Sequence, residues 1–257
     1  MMSPVKRAIA ALVRERPFVL LILAIVIALG GVAAAAIDEG QPVKYRAPGG
    51  NEVGLRPTGV GLPDIGATST VGASELASAL VKYHDSGEYE SDLTSVDAAA
   101  QSYLGAHLGS GKPAIVLDID ETSLSNYVGL LASGFTAEGT VITAVSASGT
   151  AIAPTLALYH DAIAHHVAVF FITGRPPQIQ EITETNLRNV GYDEGWNAAY
   201  FKPTEADTEQ FKSSTREAIK KSGYRIVVNV GDQQSDLDGG FAQQDFKLPN
   251  PFYFIPD

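Results

Sequence analysis

The first strong pattern along the chain is an uninterrupted apolar run. Residues 18–37 read FVLLILAIVIALGGVAAAAI and contain no charged side chain. Twenty helical residues reach about 30 Å, the thickness of a hydrocarbon core, so the run predicts a single membrane-spanning or signal helix. Lys6, Arg7, Arg14 and Arg16 precede it and Asp38 and Glu39 follow it, which predicts a cytoplasmic amino end and an exported remainder. Ala33 to Ala36 also offer the small residues of a cleavage site, so secretion after signal removal is the alternative to a single-pass anchor in the cell membrane. Both place the body of the chain outside the cytoplasm.

Residues 38–70 mix Gly and Pro with polar residues and show neither helical nor strand period, which predicts a flexible linker. Helical rhythm begins at Ala73, with Leu76, Leu80 and Tyr83 on one face, and a second helix is predicted over 93–108. Then the period changes. AIVLDI (114–119), VAVFFI (167–172) and RIVVNV (225–230) are short, nearly continuous apolar runs, the pattern of strands covered on both faces. Helical stretches at 155–166, 177–190 and 207–222 alternate with them, and AAYFK (198–202) is a further strand candidate. The alternation predicts an α/β fold, three-layered and Rossmann-like, with a central parallel sheet. The implied organisation is a signal or anchor segment (1–37), a linker (38–70) and one folded domain (71–257), with an insertion over about 123–154 after the first strand.

Composition narrows the chemistry. Without cysteine, thiolate nucleophiles, thiolate metal sites and disulfides are all excluded. The formal charge is −11, and the basic residues near the start leave the rest more acidic still, so binding to a nucleic-acid duplex is disfavoured. The histidines at 84, 107, 160, 165 and 166 lack ligand spacing; His165 and His166 suit a helix end. Trp196, Tyr127 and Phe135 are expected to pack, and Lys220 and Lys221 to be solvated.

Ligands of open parallel sheets bind beyond the carboxyl ends of the strands, and polar residues cluster at those positions. The first strand runs into Asp118-Ile119-Asp120-Glu121-Thr122, the second into Thr173-Gly174-Arg175, and the third into Gly231-Asp232-Gln233-Gln234-Ser235-Asp236. Two carboxylates as close as Asp118 and Asp120 stay ionised only when a cation or donors compensate them; otherwise one takes up a proton. Asp232 and Asp236 add hard oxygens, which suit Mg²⁺. Thr173, Gly174 and Arg175 are either turn chemistry or contacts to phosphate.

In order, DIDETSLSNY, FFITGRP, FKSSTREAI and GYRIVVNVGDQQSDLDGG resemble the four-part signature of the haloacid-dehalogenase (HAD) superfamily. More narrowly, they are similar to its acid phosphatase branch, subfamily IIIB, over about residues 73–257. The resemblance implies a Mg²⁺-dependent acid phosphatase acting on small phosphomonoesters through an aspartyl-phosphate. Asp118 would be the nucleophile and Asp120 the general acid and base. Mg²⁺ would be held by the Asp118 carboxylate, the Asp120 main-chain carbonyl and Asp232, with Asp236 helping through water. Thr173, with Gly174 and Arg175, would bind the phosphoryl group, and the FKSSTR context favours Lys212 over Lys202 as the phosphate lysine. The insertion would be a small cap. A non-catalytic storage or binding protein on the same scaffold is the competing reading, against which the retained Asp118 counts.

Overall fold

The computed structural model describes residues 73–253 apart from residue 194. The segments 1–37 and 38–70, with the membrane or signal helix expected there, lie outside the described residues. Among those described, no helix is long and apolar enough to cross a membrane.

Two helices, α1 (Ala73–Asp85) and α2 (Glu88–Ala106), lead into the first strand, β1 (Lys112–Leu117). The second helix begins five residues before the predicted 93–108. Gly87, at φ 83°, makes the left-handed turn between the helices, and Tyr89 and Asp92 already face inward in the first turns. After β1 come β2 (Leu124–Ser125), α3 (Tyr127–Ser133), α4 (Ala137–Ser146) and β3 (Thr150–Ala151). The chain continues through α5 (Ala153–Ala164), β4 (Ala168–Thr173), a 3₁₀ turn at Pro177–Ile179, α6 (Gln180–Asn189), β5 (Ala198–Phe201) and α7 (Thr208–Lys221). It ends with β6 (Tyr224–Gly231), a 3₁₀ turn at Gln234–Asp236 and β7 (Gln244–Lys247).

The five long strands form one parallel sheet in the order β5-β4-β1-β6-β7. The central position of β1 explains its unbroken apolar run: side chains of both parities are buried. Ile115 and Leu117 join Leu93, Leu104, Leu158 and Leu187 on one face, while Ala114 and Val116 join Phe170, Ile172 and Ile219 on the other. The sheet is thus sandwiched between α2, α5 and α6 on one side and α7 on the other, the expected three layers. The edge strand β7 has no counterpart in the expectations, because QDFK carries no apolar run. Residues 177–179 were expected to open α6, but Pro177 starts a 3₁₀ turn instead.

The expected insertion is a helical hairpin resting on a two-strand antiparallel ribbon of β2 and β3. Its helices cross where Gly129 and Gly139 meet; a Cβ on either would overlap the partner's backbone. Tyr127 stacks on His84 with ring centroids 3.4 Å apart, and Phe252 packs against Tyr89, Tyr127 and Phe135. Both insertion aromatics therefore pack, as does Trp196 against Phe171. His165 lies at the end of α5, where its ring pairs with the Asp161 carbonyl.

Candidate active site

The site forms where β1, its neighbours β4 and β6, and helix α7 converge. Leaving β1, the amide of Asp118 donates to the Val230 carbonyl of β6 at 3.0 Å. The chain then turns tightly: the Ile119 carbonyl accepts the amides of Thr122, Ser123 and Leu124, and the Ser123 hydroxyl donates to the Asp118 carbonyl at 2.6 Å. Glu121, inside this turn, has φ 48°. That strained conformation is held by the surroundings of its buried carboxylate, which accepts from the Asn126 amide at 2.6 Å and the Tyr253 hydroxyl at 2.6 Å. Burial, reinforced by Asp120, pushes the Glu121 carboxyl up to about 8.

Asp118, Asp232 and Asp236 are all buried, and one carboxylate oxygen from each lies within 4.8 Å of the others. The facing cation is Lys212, whose Nζ donates to Asp118 Oδ1 at 2.7 Å and also to Asp236 Oδ1. Burial pushes Asp118 well above the usual carboxylate range; Lys212 opposes this, and Asp236, Asp232 and Asp120 add to it. Asp232 rises to about 6, through burial and the charge of Asp236. Lys212 moves upward in spite of burial, because Asp118 and Asp236 favour its charged form. One ammonium among three buried carboxylates leaves negative charge uncompensated, and the donors are all hard oxygens. These residues fit a divalent cation such as Mg²⁺.

Of the two candidate lysines, Lys202 turns away and donates to the Ala206 carbonyl at 2.7 Å. Only Lys212, from the first half of α7, reaches the strand ends. Four residues on, on the same helical face, Arg216 is 1% exposed and donates to the main-chain carbonyls of Asp236, Asp238 and Gly240. Arg216 thus holds the loop that carries Asp236. It was absent from the expected site, although its i,i+4 spacing from Lys212 was readable. Gly231 lets the same loop fold back on β6, since a Cβ at 231 would overlap the Asp236 side chain.

Asp120 lies apart from the three clustered acids. Its carboxylate receives Arg175 through Nε at 3.0 Å and Nη2 at 2.7 Å, and Asn126 Nδ2 at 2.8 Å. Burial alone would raise it, but Arg175 and Asn126 hold it below the usual carboxylate range. These partners favour the ionised form of Asp120. Its side chain remains 20% exposed, open to a small ligand. Thr173 is buried, and its hydroxyl accepts the Arg175 amide at 3.1 Å. Gly174 is exposed in the turn between them. Arg175 is committed to Asp120 and to Thr183, 3.1 Å from Nη1. The sequence missed Thr122, Asn126, Lys247 and Asn250, all of which touch site carboxylates or their main chain.

Known proteins resemble this chain over most of the described residues. The family described as HAD superfamily, subfamily IIIB (Acid phosphatase) matches residues 58–256. Acid phosphatase 1 of Solanum lycopersicum is 31% identical over 194 residues, and the Stem 28 kDa glycoprotein of Glycine max is 31% identical over 192; each alignment covers 70% of this chain and 75% of the relative. Vegetative storage protein 1 of Arabidopsis thaliana is 31% identical over 66% of this chain and 67% of its own. Among solved structures, the class C acid phosphatase from Bacillus anthracis superposes with a TM-score of 0.59 at 22% identity, covering 71% of this chain and 86% of that one, a likeness of fold. The chain belongs to the HAD superfamily, subfamily IIIB, the acid phosphatases, and is a phosphomonoester hydrolase.

Proposed function

We propose that this phosphatase hydrolyses small phosphomonoesters through a covalent phosphoaspartate on Asp118, with Mg²⁺ as its metal. The observation that carries the reading is the meeting of Asp118, Asp232 and Asp236 within 4.8 Å, with Lys212 bonded to the first and last. Asp118, Asp232 and Asp236 would hold the ion, with the main-chain carbonyl of Asp120. When bound, it would neutralise the acids and the phosphoryl oxygens, so that two anions can approach.

In the first half-reaction, an Asp118 carboxylate oxygen attacks phosphorus, the ester P–O bond breaks, and the leaving oxygen takes a proton from Asp120. In the second, Asp120 removes a proton from water, whose oxygen attacks phosphorus and returns Asp118 as a carboxylate with release of orthophosphate. Donation by Asp120 requires its pair with Arg175 to open and the freed carboxylate to take up a proton from solvent before the ester bond breaks. A phosphate dianion near Thr173 and Gly174 competes for that guanidinium, so phosphate binding and release of Asp120 are linked in this reading. Lys212 keeps its charge against the phosphoryl oxygens throughout.

The folded domain (71–257) would work outside the cytoplasm, tethered or secreted through residues 1–37 and 38–70. Storage proteins among the relatives raise a non-catalytic alternative; the retained Asp118 and its Lys212 partner favour the enzyme. The purified protein should hydrolyse p-nitrophenyl phosphate, lose the activity in EDTA and regain it with Mg²⁺. Turnover that ignores chelation would remove the metal from the reading, and no turnover on any ester would favour storage. Protease shaving of intact cells should remove the domain while leaving cytoplasmic markers untouched.

A further inference from the structure

We infer that the segment after β7, residues 248–253, is a strap that completes the catalytic centre, and that Asn250 within it is a positioning residue for Asp232. The inference rests on the metal reading above and extends it to residues that none of the sequence motifs contains.

The strap is built in, not draped. Leu248 is fully buried, and its amide donates to the Gly231 carbonyl at 2.9 Å, continuing the pairing of β7 with β6 past the strand end. Lys247, just before it, donates through Nζ to the main-chain carbonyls of Asp232 and Leu248. Asn250 uses both ends of its amide. Its Oδ1 accepts the Phe252 amide at 3.0 Å, which turns the chain, and its Nδ2 donates to Asp232 Oδ2 at 2.7 Å. Gln233 Nε2 donates to that same oxygen, while Thr122 donates to Oδ1 at 3.2 Å. Phe252, 4% exposed, is gripped by Tyr89, Tyr127 and Phe135, and Tyr253 then reaches Glu121 Oε2 at 2.6 Å. The strap therefore touches the site twice, at the acid contributed by β6 and at the turn following the nucleophile.

A carboxylate rotates freely about its terminal torsion unless its oxygens are bonded. Two amide donors on Oδ2 fix the plane of Asp232, so that its remaining lone pairs are presented to the cluster with Asp118 and Asp236. Partners of this kind, behind the ligands, typically govern metal affinity by about 10–100-fold. Asn250 touches neither the reacting atoms nor the cation, so its removal should weaken metal binding without abolishing turnover at saturating metal.

The experiment compares full-length wild type, Asn250→Ala and Asn250→Ser by calorimetric titration with Mg²⁺, and by melting with and without the ion. The serine retains an acceptor for the Phe252 amide but cannot reach Asp232, so it separates lost turn from lost donor. Both variants should bind Mg²⁺ about 10–100-fold more weakly. Without metal, Asn250→Ser should melt near wild type and Asn250→Ala lower, through its lost turn; in both the metal-induced rise should shrink, and kcat at saturating Mg²⁺ should stay within a few fold. Wild-type affinity in Asn250→Ser overturns the positioning role and leaves the metal reading standing. No Mg²⁺ binding by wild type overturns both.

Discussion

Among the described residues, two of the places that bury carboxyl groups meet the same electrostatic problem in different ways. At the strand ends, Asp118, Asp232 and Asp236 crowd together against Lys212 and leave charge for a cation to neutralise. Between α2 and α5, Asp97 is 2% exposed and has one hydroxyl donor, Thr155 Oγ1 at 2.8 Å; its Oδ1 has no partner among the described residues. Burial pushes Asp97 up to about 7, against the opposing hydrogen bond. The strand ends set a cation against the desolvation of their acids, whereas Asp97 has only a hydroxyl donor. The lesson is that burial of an acid is not itself a mark of catalysis; what separates the two is whether cations and further acids face it.

The comparison breaks most visibly at Asp118. Asp118→Asn keeps shape and volume but removes the attacking oxygen, and p-nitrophenyl phosphate turnover should fall by at least about 10⁴-fold with an unchanged circular dichroism spectrum; measurable turnover would move the nucleophile elsewhere. Asp120→Asn should cost about 10²–10⁴ in kcat, the usual worth of a placed proton carrier. A change under threefold would leave Asp120 only a partner for Arg175. Lys212→Met leaves Asp118 and Asp236 without their cation, so urea unfolding should show a loss of roughly 3–5 kcal/mol. Added Mg²⁺ should restore part of that loss, because a divalent ion answers the same charge; a loss indifferent to Mg²⁺ would count against a shared site.

The smallest effect belongs to Asp97, and its sign is opposite. Its folded-state value lies above the ordinary 3.8, so the stability it contributes is fully present below pH 3.8 and lost as the pH rises to about 7. Asp97→Asn keeps the acceptor for Thr155 and cannot ionise. Chemical denaturation at pH 4 and pH 8 should show the variant level with wild type at the lower pH and the more stable of the two at the higher. Parallel pH profiles for the two proteins would show that Asp97 does not titrate in this window. Turnover at saturating Mg²⁺ should be unaffected.

The parts of this architecture that were legible in the sequence are those in which both faces of a segment are covered. AIVLDI, VAVFFI and RIVVNV announced β1, β4 and β6 because no parity of side chain meets water. QDFK did not announce β7, because an edge strand pairs on one side only and its side chains stay half-exposed. The helices of the insertion were not among the expected elements, because glycine is a poor helix former, whereas Gly129 and Gly139 are there to let two helices touch. The acids of the site stood out as clusters at strand ends. Their supports did not, because a contact such as Asn250 to Asp232 spans 18 residues and leaves no local pattern. Lys212 came from motif context, and geometry separated it from Lys202.

The space left open at Gly231 has a consequence beyond its own position. The acid loop doubles back so closely on β6 that the thickness of one methyl group is missing between them. Any side chain at 231 would shift Asp236, and with it the grip of Lys212 and the carbonyls that Arg216 holds. A residue with no chemistry of its own thereby sets the spacing of the charges around it, and an alanine there would be read by the enzyme as damage to an aspartate.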